Sequence, residues 1–292
     1  MIIGMLGNVF SPAYYAARKR KRGVAALDHC TMNVALYDRR SPRWALTETA
    51  GPSLSPQELR IGASAMRVEG STLVVTLDEN TSPFPGRIRG EVRVELGSVE
   101  AQPIHLDRAQ RHRWTPLAAH ARCEVTLTEP SLRFRGAAYL DSNAGDEPLE
   151  SAFSAWSWSR ATLSDGRTIV SYDVTPRHSE PGSILLQATP ASLLPLAASI
   201  PCHILPRTRF GIAPRVRMDT VGRIETLEDT PFYARSRVHG RLFGEPAVAV
   251  HEELCLDRFQ KQWVQFLLPF RMRRGRAPGL LGASLRRLWG SR

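Results

Sequence analysis

The sequence predicts an all-β protein built from antiparallel sheets, closed as barrels or stacked on one another. Three runs alternate apolar and polar residues with the period of two that is typical of half-buried strands: 72–77, 87–96 and 122–127. Short polar clusters that favour turns interrupt the chain at 78–80, 164–166 and 180–182. The 21 prolines and 21 glycines disfavour long helices outside the C-terminal tail.

The 292 residues suit two medium-sized β domains or a single large one. A change in composition at the turn 164–166 predicts an N-terminal domain of residues 1–164 and a C-terminal domain of residues 165–272. Residues 273–292 are a separate basic amphipathic tail in this division. Four apolar side chains of the tail share one face of a predicted helix, with arginines beside them: Leu281, Leu285, Leu288 and Trp289.

The net charge of +11 is concentrated in two segments. Of the 39 basic residues, five lie in 18–22 and seven in 271–292, and neither segment contains an acid. Such segments fit anionic lipid headgroups or nucleic acid. The amphipathic tail favours an anionic membrane surface as the partner, with a solvated basic tail as the alternative. No nucleic-acid partner is expected, because the aromatic residues are not interleaved with basic ones.

The start of the chain predicts a cytoplasmic protein. No apolar run approaches the roughly 18 residues that indicate a membrane-spanning helix. The mildly apolar residues 1–15 precede the basic residues 18–22, which is the reverse of the order in a signal peptide. We therefore expect a cytoplasmic protein that associates peripherally with the membrane. The intracytoplasmic membrane is included in this expectation.

Motifs for metals and cofactors are missing from the sequence. Segment 4–7 lacks the Lys and Ser/Thr of a phosphate-binding loop, and 251–255 has a cysteine where a zinc protease has its second histidine. The four cysteines are far apart, so neither a zinc site nor a disulfide framework is expected: Cys30, Cys123, Cys202 and Cys255. We expect no metal and no cofactor.

Aromatic and ionisable residues recur at a spacing of two in three parts of the chain. Residues two apart on a strand point to the same face of the sheet. The three pairs are His112 with Trp114, Tyr139 with Asp141, and Trp156 with Trp158. If these faces converge, they form an aromatic cavity that contains an acid. The alternative is an ordinary aromatic core with solvated turn carboxylates at 141–147.

An acid in an aromatic cavity suits the protonation of an unactivated alkene. A free aspartic acid has a pKa of about 3.9, and an apolar pocket raises it, so that the group stays protonated. Aromatic faces then stabilise the carbocation by about 0.5–2 kcal/mol per ring. A second polar group must hold one water molecule and remove its proton.

Blocks of sequence along nearly the whole chain resemble the carotenoid 1,2-hydratase (hydroxyneurosporene synthase) family. They run in order from about residue 4 to about residue 272. The N-terminal and central blocks are GNVFSP at 7–12, DHCTMNVALY at 28–37, RWALTE at 43–48, HRW at 112–114 and YLDSN at 139–143. The C-terminal blocks are TLEDTPFYAR at 226–235, HE at 251–252, LDRF at 256–259 and LPFRM at 268–272.

The resemblance implies two lipocalin-like β domains, a lipophilic pocket and no organic cofactor. It implies that the chain hydrates the terminal 1,2 double bond of acyclic carotenoids such as neurosporene and lycopene, in the spheroidene or spirilloxanthin branch of photosynthetic bacteria. By position, Asp141 would donate a proton to C2, Tyr139 and His112 would orient the acid or the water, and Trp114 would face the cation at C1. The expected substrate-binding residues are Asn143, Trp156 and Trp158.

Two other functions fit parts of this pattern. A non-catalytic, lipocalin-like carrier of a carotenoid or another isoprenoid would need no acid at Asp141. A related barrel enzyme, such as an isomerase or a cyclase, would act on another lipid. Ala144 departs from the family pattern, in which an aromatic residue follows the Asn, and is expected to alter rate or substrate preference. The sequence leaves open the preferred carotenoid, hydration at one or both ends, the water-activating base and the oligomeric state.

Overall fold

The computed structural model describes residues 1–20, 24–38, 41–97 and 99–275. In chain order, the strands are β1 (Ile2–Met5), β2 (Cys30–Leu36), β3 (Arg43–Thr49), β4 (Ser53–Leu54), β5 (Glu58–Ile61), β6 (Ser64–Glu69), β7 (Thr72–Asn80), β8 (Arg87–Glu95), β9 (Ile104–His105), β10 (His112–Glu129), β11 (Ser131–Gly145), β12 (Phe153–Thr162), β13 (Thr168–Pro176), β14 (Gly182–Ala188), β15 (Leu193–Pro195), β16 (Cys202–Ile204), β17 (Arg215–Arg217), β18 (Thr220–Asp229), β19 (Tyr233–Leu242), β20 (Glu245–Cys255) and β21 (Arg273–Arg274). The α-helices are α1 (Pro12–Lys19), α2 (Leu149–Ala152), α3 (Leu256–Phe259) and α4 (Gln262–Leu267), and 3-10 turns span Ala26–Asp28 and Leu268–Arg271.

The predicted all-β class is confirmed. The three alternating runs lie in β7, β8 and β10, and none of the described helices exceeds the eight residues of α1. Antiparallel pairing is typical of these sheets, as between β2 and β3 and between β12 and β13, whereas β21 runs parallel to β3. No helix in the described part of the chain has the length and apolar character needed to cross a membrane.

The polar cluster 78–80 is part of a strand, contrary to the predicted turn. Strand β7 continues to Asn80, and the side chain of Glu79 is buried. Its carboxylate accepts hydrogen bonds from Thr47 Oγ1 at 2.5 Å and from Ser64 Oγ at 2.6 Å. Because these two hydroxyls satisfy the buried acid, its polarity does not end the strand.

Two compact units divide the described chain. The first comprises 1–94, 124–135 and the residues from 266 onward, and the second comprises 95–123 and 136–265. Strands β12 and β13, on either side of residue 164, are paired over nine positions of one sheet. The division into domains 1–164 and 165–272 stays a prediction. The helix predicted in the tail lies in 276–292, outside the described residues.

The first unit contains a four-stranded sheet with the order β1-β2-β3-β21. Its second sheet runs β4-β5-β6-β7-β8, followed by residues 124–129 of β10 and 131–135 of β11. Close packing of β8 on β10 requires glycine at position 90, where φ is +144°. A Cβ atom there would lie 2.3 Å from the carbonyl oxygen of Thr126.

The second unit is organised by a seven-stranded sheet with the order β15-β14-β13-β12-β20-β19-β18. On β12, Trp156, Trp158 and Arg160 face one side by alternation, while Ala161 faces the other. Ala161 belongs to an apolar core with side chains from strands on both sides of β12 and from 200–218, among them Ile169, Ile200, Leu205, Val216, Met218 and Val238. One face of the sheet is therefore core, and the other carries the predicted aromatic residues.

Candidate functional site

The carboxyl group of Asp141 lies at the centre of the predicted site. Asp141 is on β11, and one of its oxygens, Oδ2, accepts two hydrogen bonds. Trp114 on β10 donates its indole Nε1–H at 2.8 Å, and Tyr139, two residues before Asp141, donates its hydroxyl at 3.1 Å. Oδ1 receives no hydrogen bond from the described residues. The carboxyl group therefore has one anchored oxygen and one oxygen open to other partners.

Burial raises the pKa of Asp141 from 3.8 to about 6. Desolvation is the main cause, because it disfavours the charged form. The hydrogen bonds from Trp114 and Tyr139 oppose this rise, since they stabilise the carboxylate. The negative charge of Glu252 adds to the rise, and the positive charge of Arg235 reduces it. Asp141 is therefore an acid that carries its proton in mildly acidic solution.

Aromatic rings surround this carboxyl group. Tyr139 packs against Trp158 with ring centroids 4.9 Å apart. Trp114, which is fully buried, meets the ring of Tyr172 edge to face at 5.1 Å, and Tyr172 meets Trp156 in the same way at 6.0 Å. Burial also raises the pKa values of Tyr139 and Tyr172 well above 10, so both hydroxyls stay protonated and remain donors.

Arg160 places a positive charge at the edge of the aromatic group. Its guanidinium lies 5.7 Å from the ring centroid of Tyr139 and donates to the carbonyl of Ala138 at 2.7 Å. Burial lowers the pKa of this guanidinium, because desolvation penalises its charge. The cation therefore contacts the face of one tyrosine and a backbone oxygen rather than Asp141.

The hydrogen bonds of His112 connect it to two loops, one before β10 and one after β11. Its Nδ1 lies 2.9 Å from Oδ2 of Asp107, and its Nε2 lies 3.3 Å from the carbonyl oxygen of Glu147. The same Asp107 oxygen accepts the backbone N–H of His112 at 2.7 Å. The ring packs edge to face on Phe153 at 5.0 Å. The described contacts thus bring Trp114 and Tyr139 to Asp141. His112 instead contacts Asp107 before β10 and Glu147 after β11.

A substitution at Gly145 tests how tightly His112 is held. A Cβ atom at this position would lie 2.5 Å from Cδ2 and 3.0 Å from Nε2 of the His112 ring. Because the ring is buried and hydrogen-bonded on both nitrogens, we expect Gly145→Ala to lower the free energy of unfolding by about 1–3 kcal/mol. Urea denaturation followed by tryptophan fluorescence measures this change.

Gly136 provides a matched control on the same strand. A Cβ atom there would meet nothing within 4 Å, so Gly136→Ala is expected to leave the free energy of unfolding within about 0.5 kcal/mol. Equal effects of the two substitutions would contradict the tight packing of His112 against Gly145.

Asn143 and Ala144 lie at the end of β11 and are both exposed. The carbonyl oxygen of the Asn143 side chain accepts a long hydrogen bond, 3.4 Å, from the hydroxyl of Tyr172. Asn143 therefore joins the aromatic group, on the same strand face as Asp141. Ala144 is on the opposite face by alternation, so an aromatic residue at 144 would not point toward the Asp141 carboxyl group.

Three residues of this region were not predicted from the sequence as site residues. Tyr172 and Glu252 lie directly opposite Trp158 on the neighbouring strands β13 and β20, and Arg235 lies opposite Glu252 on β19. Strand alternation alone does not indicate them, because their proximity depends on the register between strands far apart in sequence. Arg235 and Glu252 do lie in the segments 226–235 and 251–252, which resemble the family. That resemblance was the signal in the sequence that could have indicated them.

An open hollow of about 570 Å³ lies elsewhere in the second unit. It is lined by Ser183, Leu185, Leu196–Ser199 and Arg217. Leu185 is paired with Ser171, the residue before Tyr172, and so faces the opposite side of the sheet from the aromatic group. This hollow is therefore separate from the Asp141 site.

Comparisons with known proteins agree with one another. A family model described as carotenoid hydratase CrtC matches residues 2–278. The chain is similar to the acyclic carotenoid 1,2-hydratases of Thiocapsa roseopersicina, with 46% identity over 279 residues, and Rubrivivax gelatinosus, with 39% over 282 residues. These alignments cover 94% and 93% of this chain and 68% of each relative. The enzyme of the same name from Cereibacter sphaeroides is 31% identical, with 94% of this chain and 98% of the relative aligned.

A solved structure supports the fold. The crystal structure of kievitone hydratase from Nectria haematococca matches with a TM-score of 0.53, covering 80% of this chain and 82% of that one. The sequence identity is 10%, so the likeness concerns the fold alone. This neighbour has a lipocalin-like fold, in agreement with the predicted architecture.

Proposed function

Since the chain belongs to the carotenoid hydratase CrtC family and is therefore a hydro-lyase, we propose that it adds water across the terminal 1,2 double bond of an acyclic carotenoid such as neurosporene or lycopene. The observation that carries this proposal is the buried Asp141 carboxyl group, anchored through one oxygen and surrounded by aromatic rings. Protonation of an unactivated alkene needs such an acid, whose pKa is raised by its apolar surroundings so that it carries its proton in mildly acidic solution.

Asp141 is the proton donor in this proposal. Because Trp114 and Tyr139 both donate to Oδ2, the proton of the neutral acid resides on Oδ1. Transfer of that proton to C2 uses the π electrons of the double bond and leaves a tertiary cation at C1. The same two donors then stabilise the new carboxylate, which reduces the free-energy cost of the transfer.

The aromatic rings stabilise the cation and bind the polyene. Trp114, Trp158 and Tyr172 place electron-rich rings close to the acid, and each ring face that reaches a cation contributes about 0.5–2 kcal/mol. Trp156, which packs on Tyr172, and Asn143, which bonds to its hydroxyl, extend the substrate-binding surface. His112 acts as a positioning residue, because its bond to Asp107 fixes the strand that carries Trp114.

The function is tested by anaerobic incubation of the purified protein with neurosporene or lycopene in lipid vesicles, without added cofactor. Chromatography and mass spectrometry are expected to detect a product that is heavier by one water and has an unchanged polyene chromophore. Pigment binding without any hydrated product would instead favour the non-catalytic carrier.

We also propose that the protein docks on anionic membranes, where such a substrate dissolves. Near the end of the described chain, two aromatic side chains are strongly exposed: Phe266 at 69% and Phe270 at 66%, with ring centroids 5.6 Å apart. Arginines follow at once, at positions 271, 273 and 274. Exposed aromatic residues beside basic ones suit insertion at the level of lipid headgroups. The segment 276–292 that follows contains further arginines and no acidic residue.

Replacing both aromatic residues tests this docking. We expect the double variant Phe266→Ser/Phe270→Ser to reduce co-sedimentation with vesicles containing phosphatidylglycerol by about tenfold, because two apolar anchors are lost. The matched control is Phe84→Ser, since Phe84 is also exposed, at 81%, but lies on another loop. Unchanged binding by the double variant would contradict docking through this surface.

The electrostatic contribution is measured separately. Binding of the wild type is expected to weaken as salt increases, because screening shortens the range of the arginine charges. Deletion of 276–292, which leaves β21 in place, is expected to weaken binding further. Salt-independent binding that is unaffected by this deletion would exclude a role for the basic tail.

A further inference from the structure

An ion pair lies beside the aromatic group on the same face of the seven-stranded sheet. Arg235 on β19 bonds to Glu252 on β20 through its terminal guanidinium nitrogen. Glu252 is directly opposite Trp158, which is directly opposite Tyr172. Residues directly opposite in an antiparallel sheet point to the same side. The carboxylate of Glu252 is therefore on the side of the sheet that carries the aromatic rings.

Glu252 is linked to Asp141 through these rings. Tyr139 packs on Trp158, the neighbour of Glu252, and donates its hydroxyl to Asp141. Burial is the main cause of the raised pKa of Asp141. The negative charge of Glu252 raises this pKa further, and the positive charge of Arg235 lowers it. Both charges are thus within electrostatic range of the acid.

The neighbouring ionisable residues of β20 face the other way. Glu253 accepts hydrogen bonds from Ser157 and from the backbone N–H of Arg215, on the core side of the sheet. His251 is likewise on that side by alternation, and burial lowers its pKa to about 4. Of the three consecutive residues 251–253, only Glu252 faces the aromatic group.

Arg235 holds Glu252 by one oxygen. Its Nε donates to the hydroxyl of Tyr233 at 2.8 Å, which orients the guanidinium, and its terminal nitrogen donates to Oε1 of Glu252. Within the described chain, Oε2 of Glu252 receives no hydrogen bond from a protein group. This arrangement matches that of Asp141, which also has one anchored oxygen and one open oxygen.

We propose that Glu252 is the base that captures the proton of the attacking water. This inference rests on the proposed hydration, which needs a proton acceptor as well as a proton donor. After Asp141 has transferred its proton to C2, the water oxygen forms a bond to the cation at C1 and a proton of that water moves to Oε2 of Glu252. The product is the tertiary alcohol. Exchange with solvent then returns a proton to Asp141 and removes one from Glu252, so the cycle balances with water as the only co-substrate.

Deuterium incorporation separates protonation of the alkene from capture of water. In D2O, Asp141 delivers deuterium to C2. If no base assists the water, the cation returns to alkene by losing H or D from C2, and the recovered neurosporene becomes deuterated. We expect Glu252→Gln to reduce hydration by about 100-fold or more while the recovered substrate still gains deuterium. Asp141→Asn is expected to lose both the product and the exchange.

Two further variants serve as comparisons. Glu252→Asp keeps a carboxylate. It is expected to hydrate neurosporene at least about tenfold faster than Glu252→Gln does. Glu245→Gln changes a carboxylate at the start of the same strand, which bonds to Ser164 at a hairpin end, and is expected to hydrate neurosporene at the wild-type rate. Circular dichroism and thermal melting establish that each variant is folded.

The outcomes distinguish this inference from the proposed function. Hydration by Glu252→Gln within threefold of the wild type would overturn the role of Glu252 and leave the function intact. Loss of both hydration and exchange in a folded Glu252→Gln, or no recovery in a folded Glu252→Asp, would equally overturn it. A wild-type protein that neither hydrates neurosporene nor exchanges deuterium into it would overturn the proposed function itself.

Discussion

Asp141→Asn is expected to reduce the hydration of neurosporene by about 10³-fold, within the 10²–10⁴ range typical of general acid catalysis. Asparagine has no proton to transfer to C2, although its amide oxygen still accepts the hydrogen bonds that Trp114 and Tyr139 donate to the carboxylate. The fold and the uptake of pigment should therefore be retained. Product formation is measured by chromatography, and pigment uptake by the absorption of the polyene in the protein fraction.

Asp146→Asn is the matched control for this prediction. Asp146 lies five residues further along the chain, is exposed, and bonds to the guanidinium of Arg111 at 2.8 Å. Its loss should change the hydration rate by less than about threefold, because the ion pair is on the surface. Normal turnover in Asp141→Asn would exclude Asp141 as the proton donor, whatever the control shows.

Strand alternation predicts which residues of each strand share a face, whereas the meeting of these faces was left as a condition. The spacing of two places Tyr139 and Asp141 on one face of β11, and the structure shows their hydroxyl and carboxyl groups in contact. The indole of Trp114 reaches the same carboxyl oxygen from β10. Alternation also placed His112 with Trp114. It could not reveal that His112 bonds to Asp107 and Glu147, because those partners are in the loops before β10 and after β11.

The remaining side of the site depends on strand register, which single-sequence patterns do not predict. Arg235 and Glu252 are 17 positions apart in sequence and become partners only because β19 and β20 form a hairpin in one particular register. A shift of that register by one residue would turn Glu253 toward the aromatic group and Glu252 toward the core. The same dependence explains why Tyr172 was not predicted, since it meets Trp114 from a strand in another sheet.

Trp114→Phe is expected to shift the pH dependence of the reaction toward higher pH. Asp141 acts as an acid, so activity is present below its pKa and is lost as the pH rises above it, at about 6 in the wild type. The indole N–H stabilises the carboxylate and so opposes the rise in this pKa. A hydrogen bond to a charged group contributes about 1.5–3 kcal/mol, so removing this donor should raise the alkaline limb by about one unit or more.

The rate at low pH should fall in the same variant. The carboxylate formed by proton transfer loses one of its two donors, so kcat on the acidic plateau is expected to decrease by about tenfold to a hundredfold. Trp263→Phe, which changes an exposed tryptophan, is the control and should leave both kcat and the pH profile unchanged. A lower rate with an unshifted alkaline limb would mean that Trp114 acts through packing on Tyr172, and that its bond to Asp141 does not set the acidity of the proton donor.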